Sequence, residues 1–299
     1  MPDTTHTLLG IASALGSAAS WALGAILFKV VGEKMSPAAM TLAKGAASVV
    51  LLGLAVVVIG FYPTQSQALW LLVLSGVIGI ALGDSLFFKA LQDLSPVSII
   101  ILMVVGQIVT AILGILVLSE RPSLLAWVGM ALIMAGVVVV LFGDVSTDPT
   151  TTRARGILFG LGAVLCMSLS SIIAKRPLDT VPTVQATFVR MASGTVGVFL
   201  VGGILGQIGG WLAPLKDFSF LAKFLLAVVV VSFGGFWLSI VAIKFLPVAI
   251  ASALNATEPI FAIPLSLILM KDRINLRSVV GSVAVVAGVA LISCAENPA

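Results

Sequence analysis

Hydrophobic residues run through this chain in long blocks rather than in alternation, and short polar turns separate one block from the next. The blocks measure about 17 to 24 residues, and at about 1.5 Å of rise per helical residue about 20 of them cross a hydrocarbon core about 30 Å thick. Ten spans are predicted: Leu8 to Val30, Pro37 to Gly60, Ala68 to Phe88, Pro96 to Leu118, Leu124 to Phe142, Gly156 to Ala174, Thr183 to Leu205, Phe220 to Ile243, Pro247 to Met270, and Leu276 to Ile292. A transmembrane β-barrel is excluded, because its strands alternate apolar and polar residues in segments of about ten. The pattern predicts an all-α membrane protein of ten transmembrane helices.

The pattern also repeats. Laying LVLSERPSLLAWVGMALIMAG over ILMKDRINLRSVVGSVAVVAG sets Glu120 opposite Asp272, Arg121 opposite Arg273, Gly129 opposite Gly281 and Gly136 opposite Gly288. Upstream, with slightly shorter offsets, Pro96 pairs with Pro247, Gln107 with Glu258, Gly83 with Gly234, Trp21 with Met167, Lys29 with Lys175, and Lys44 with Arg190. Residues 1–148 and 149–299 are therefore expected to form two five-helix repeats, with the Thr- and Asp-rich stretch Gly143 to Arg155 as their seam. Five crossings per copy force the second copy to enter from the opposite side, which is the inverted repeat of many secondary transporters.

Composition strengthens the class. Hydrophobic residues make up 60% of the 299 and charged residues 9%, against about 25% charged in a soluble domain. The connections are too short for another domain, and the tail before Leu8 lacks the basic residues of a secretory signal, so the first helix is expected to be retained. Both termini should lie on one side, in a bacterial inner membrane. Basic residues near helix ends number four on the terminal side (Arg121, Lys175, Arg176, Lys244) and ten on the other, which by the positive-inside rule places the termini outside.

Chemistry is sparse. His6 is the only histidine and lies in the tail, while Cys166 and Cys294 fall in different helices, so no metal site, cofactor or histidine-based catalysis is expected. A membrane hydrolase would need a nucleophile with a base in reach or a carboxylate pair, and neither motif is present. Nothing points to nucleic acid or demands an oligomer.

What remains is a set of polar residues within the spans, where a charge costs at least about 2.5 kcal/mol and so faces a partner or a cavity. Lys44, Asp84, Arg190 and Glu258 qualify. Lys44 and Asp84 lie near the same side, where they either pair with each other or touch substrate. Arg190 has no such acid, because Gly235 stands where the mate of Asp84 would be, leaving it to meet Glu258 or a ligand carboxylate. Gln107 and Glu258 each lie 11 residues after a helix-opening proline and reach the midplane from opposite sides. Pro259 and Pro264 predict a kink beside Glu258, which either faces substrate or bonds locally to Asn255, Thr257 or a freed carbonyl. Trp21, Phe87, Met103, Ser168 and Trp237 are the candidate cavity wall. The glycines read as close-packing positions, with Gly129, Gly136, Gly281 and Gly288 serving the scaffold or a dimer contact.

The duplicated acidic-Arg-to-glycine pattern (SERPSLLAWVGMALIMAG and MKDRINLRSVVGSVAVVAG), together with EPIFAIPLSLIL around Glu258, resembles the EamA family of the drug/metabolite transporter superfamily across nearly the whole chain. The first half departs from the Glu-Pro motif with Gln107-Ile108. The resemblance implies a non-enzymatic exporter of amino acids or other small metabolites, with a central cavity and cytoplasmic termini, the reverse of the charge count. The general look is similar to YddG-type aromatic amino-acid exporters. Small multidrug relatives use a glutamate in their first helix; the first and sixth spans here carry no acid. Broad drug efflux is the alternative, and a membrane-embedded enzyme, a sensor or a channel stands further off.

Overall fold

The computed structural model describes residues 4–32, 34–94, 96–141, 151–211, 213–261, 265 and 276–296. They form an all-helical bundle: α1 Thr4–Gly32, α2 Pro37–Ile59, α3 Ser66–Asp93, α4 Pro96–Leu118, α5 Leu124–Leu141, α6 Thr151–Lys175, α7 Thr183–Ile204, α8 Phe218–Phe245, α9 Val248–Phe261 and α10 Leu276–Glu296. Six of these (α1, α2, α3, α6, α7 and α8) are long and apolar enough to cross a membrane, and the other four contain shorter apolar helices.

Helix ends follow local chemistry. Ser36 accepts from Ala39 N at 3.3 Å ahead of Pro37 at the first turn of α2. Ser123 accepts from Ala126 N at 3.2 Å to start α5, and Asp217 accepts from Ser219 N at 3.0 Å to start α8. The bundle is inside-out relative to a soluble protein. Val57, Val58, Trp70, Leu124 and Ile204 are exposed on its rim, while Lys44, Asp84, Gln185 and Arg190 are buried within. That distribution is the one hydrocarbon solvent selects, since lipid satisfies no polar group.

The helix neighbours map onto one another when each helix is exchanged for its repeat mate. α1 packs against α8 and α9, as α6 packs against α3 and α4, whereas α2–α7, α4–α9 and α5–α10 pair with their own mates. These relations describe two inverted five-helix repeats interleaved about a pseudo-two-fold axis. The first helix of each repeat is embraced by the third helix of the other, so the molecular centre belongs to both.

The scaffold glycines settle at α5–α10. A Cβ on Gly129 would lie 2.8 Å from Gly288 O, and one on Gly136 would lie 2.6 Å from Gly281 O. Such backbone-to-backbone contact admits no side chain, which makes this an intramolecular seam and answers the choice between scaffold and dimer contact at these positions. Gly136→Leu is expected to lower the apparent melting temperature in detergent, at about 1–3 kcal/mol for overpacking. An unchanged melting curve would contradict this close approach.

One end of the bundle is held by charges at helix termini. Lys175, at the end of α6, donates to the carbonyls of Ile243 and Leu246 where α8 ends. Glu120, just after α4, accepts from Val248 N at 2.6 Å and Ala249 N at 2.9 Å where α9 begins. A cation at a helix C-terminus and an anion at a helix N-terminus each complement the backbone dipole. Its repeat mate Asp272 and the rest of that motif's opening lie outside the described residues.

Candidate functional site

The site begins with two distortions in mated helices. α3 widens into a π-helix over Val77–Asp84 and α8 does so over Val230–Trp237. Each stretch carries glycines pressed against the opposing first helix. A Cβ on Gly79 would lie 2.3 Å from Ser170 Oγ on α6, and one on Gly234 would lie 2.1 Å from Ser20 Oγ on α1. A π-turn releases backbone groups from ordinary pairing. In α8 the Gly235 carbonyl accepts from Ser17 Oγ of α1 at 3.0 Å, and Ser17 also bonds Ser239 at 2.6 Å.

A third break lies in α9. The helix runs Val248–Asn255, turns at Ala256 and Thr257, and resumes at Glu258. Pro259 accounts for it, because its ring collides with the carbonyl four residues back and it has no N–H to offer. The Leu254 carbonyl accepts both from Thr257 N at 3.1 Å and from Thr257 Oγ1 at 2.7 Å, which fixes the turn. Pro264 lies outside the described residues.

These three breaks border a central cavity. Its volume is ≈ 130 Å³, against roughly 10–15 Å³ for a single water, which is room for a small organic molecule. Its wall is assembled from both repeats: Trp21 of α1, Phe87 of α3, Met103 and Gln107 of α4, Met167 of α6 and Phe236 of α8. Gln107 and Glu258 therefore line one chamber, as do the mates Trp21 and Met167. Trp21 meets Phe236 edge to face at 4.8 Å, and among the described residues its indole N–H has no acceptor. A discontinuous helix with polar groups at the crossing of two inverted repeats is the arrangement in which transporters hold substrate.

The charged residues divide into a closed set and an open one. Lys44 donates to Asp84 as a buried ion pair, with its Nζ 4.5 Å from the Phe236 ring centroid and 5.5 Å from that of Phe88. The pair lines a separate pocket of ≈ 10 Å³, no larger than one water, and does not line the central cavity. Arg190 and Glu258 do line it. Arg190 donates from Nε to Ser75 Oγ and from Nη2 to Ser170 Oγ, both at 2.9 Å. Among the described residues, no ion pair or hydrogen bond reaches the Glu258 carboxyl. It is 8% exposed, and Asn255 Oδ1, on the same cavity wall, is buried without a partner among the described residues.

A family model of EamA-like transporters matches residues 8–142 and again 154–294, once in each repeat. The chain belongs to the EamA-like transporter family. This EamA-like protein is accordingly an integral membrane protein. It is 26% identical over 130 residues to the uncharacterized transporter YyaM of Bacillus subtilis (strain 168), covering 43% of each chain. It is 23% identical over 228 residues to an uncharacterized transporter of Methanothermobacter thermautotrophicus, covering 74% of this chain and 64% of that one. The matched regions thus span 43% and 64% of the length of these two relatives. A protein known from its crystal structure shares the fold, with a TM-score of 0.72, 17% identity, and coverage of 97% of this chain and 98% of that one.

Set against the sequence expectations, the structure brings Trp21, Phe87, Met103, Gln107, Ser168, Arg190 and Glu258 to the cavity of the EamA-like fold. Ser168 is tied to Thr110 at 2.8 Å. Trp237 is a correction. It is not among the cavity-lining residues; its indole donates to Thr183 Oγ1 at 3.1 Å, and Phe236 faces the chamber instead. Of the local partners expected for Glu258, neither Asn255 nor Thr257 bonds its carboxyl. Sequence reading passed over Phe236, Ser75 and Ser170, which signal their roles only once the helices are placed.

Proposed function

We propose that this transporter exports amino acids, preferring aromatic or hydrophobic ones, by alternating access of the central cavity to the two faces of a cytoplasmic membrane. The observation that carries the reading is one chamber in which an unpartnered carboxyl, Glu258, stands with an aromatic and thioether wall of Trp21, Phe236, Met103 and Met167. Glu258 and Gln107 offer acceptors to a substrate ammonium at mid-membrane. The rings and thioethers accommodate a flat apolar side chain. Alternation between faces is supported by the exchange symmetry of the helix neighbours, since the two repeats can trade their arrangements.

Counterflow in proteoliposomes tests it. Saturable exchange of labelled tryptophan and phenylalanine, faster than that of a small neutral amino acid and absent from empty vesicles, is the expected result. A folded preparation that exchanges none of them, yet transports unrelated lipophilic drugs, would replace this reading with broad efflux.

A further inference from the structure

The repeat symmetry is broken at one charged position, and the break has a chemical consequence. Lys44 and Arg190 are mates, but Lys44 has Asp84 as its counter-ion, while the mate position of Asp84 is Gly235. Side-chain space there is taken by Trp21, since a Cβ on Gly235 would lie 3.1 Å from the indole. Arg190 is thus a buried cation, 7% exposed, whose hydrogen-bond partners are the neutral hydroxyls of Ser75 and Ser170; Asp84 acts on it through space but is bonded to Lys44.

Those serines fix the guanidinium without neutralising it. Ser75 Oγ donates to Ser170 O at 2.8 Å and Ser170 Oγ donates to Ser75 O at 2.7 Å, a reciprocal clasp between α3 and α6. Each hydroxyl proton then points at a carbonyl and each hydroxyl oxygen is free to accept from Arg190. Of the five guanidinium protons, two are engaged, which leaves both on Nη1 and one on Nη2. Gly79 keeps the approach to that end clear, its absent Cβ lying 3.9 Å from Nη2, and Gly79 and Arg190 both line the cavity. A planar fork with its terminal edge unoccupied matches a carboxylate in bidentate geometry.

We infer that Arg190 is the specificity-determining residue for the substrate carboxylate, which takes the place of the acid missing at Gly235, with Ser75 and Ser170 as positioning residues. The inference rests on the amino-acid reading and deepens it. With the Glu258 carboxyl accepting from the ammonium and Arg190 donating to the carboxylate, the chamber offers a complementary group to each end of a zwitterion.

The test measures counterflow of labelled tryptophan with tryptamine, which lacks the carboxylate, as competitor. Wild-type protein should discriminate against tryptamine by roughly tenfold or more. Arg190→Gln should weaken tryptophan exchange roughly tenfold or more and, in the exchange that remains, shrink that ratio toward unity. Ser75→Ala/Ser170→Ala should raise the half-saturating tryptophan concentration several-fold while leaving the maximal rate near wild type. Size exclusion and melting confirm that each variant is folded, and the wild-type ratio needs no variant at all. If wild type exchanges tryptophan but takes tryptamine equally well, or if folded Arg190→Gln keeps the wild-type ratio, the carboxylate assignment is overturned while the amino-acid reading survives. If wild type exchanges no amino acid, both fall together.

Discussion

Asp84→Ala is expected to destabilise the protein by about 3–5 kcal/mol, the usual consequence of removing one member of a buried ion pair. Lys44 and Asp84 are each 1% exposed, so neither can turn to solvent when its partner is lost. Two aromatic faces flank the Lys44 ammonium, and they offer attraction without hydrogen-bond acceptance. The adjoining pocket of ≈ 10 Å³ has room for at most about one water to replace the carboxylate. A charge left in that setting recruits water or unpacks the junction of α2, α3 and α8. The double replacement Lys44→Met/Asp84→Leu should recover most of the loss, because apolar residues of similar volume often substitute for a buried pair at little cost. Melting in detergent, followed by size exclusion, distinguishes the cases. A single Asp84→Ala variant that melts with wild type would show the pair to be dispensable.

Glu258→Gln is expected to give the opposite profile. Its carboxyl has no bonding partner among the described residues, so replacing it by an amide of the same shape should leave the melting temperature unchanged or raised. Transport should fall roughly tenfold to hundredfold, corresponding to a hydrogen bond to a charged group of about 1.5–3 kcal/mol. That combination is the signature of a group kept for function at the expense of stability. A variant that loses stability and transport in parallel would instead make Glu258 part of the α9 break.

The contrast between these two residues shows where sequence stops being sufficient. The spans, the duplication and its inversion were legible because hydrocarbon imposes long apolar blocks and five crossings impose inversion. Glu258 and Gln107 were legible from their common distance after Pro247 and Pro96. The Lys44–Asp84 question remained open in the sequence, because the same spacing serves an ion pair or a substrate contact; only placement of α2 against α3 closes the pair. Trp237 was a wall candidate simply as an aromatic residue within a span, and nothing in VVSFGGFW announces a π-helix before Ser17 and Ser20 are seen against it. Ser75 and Ser170 are 95 residues apart in the chain, and their clasp exists only because the first helix of one repeat is held by the third helix of the other.

The central claim is that one chamber faces both sides of the membrane in turn, and a single cysteine tests it most directly. Ser171 lines the cavity on α6, and among the described residues its hydroxyl bonds only the Met167 carbonyl of the preceding turn, at 3.0 Å, so Ser171→Cys in a background lacking Cys166 and Cys294 is expected to fold. Membrane-impermeant thiol reagents applied to either face of oriented vesicles should label it, and tryptophan should protect it from both. Labelling from one face alone, unaffected by tryptophan, would contradict the account.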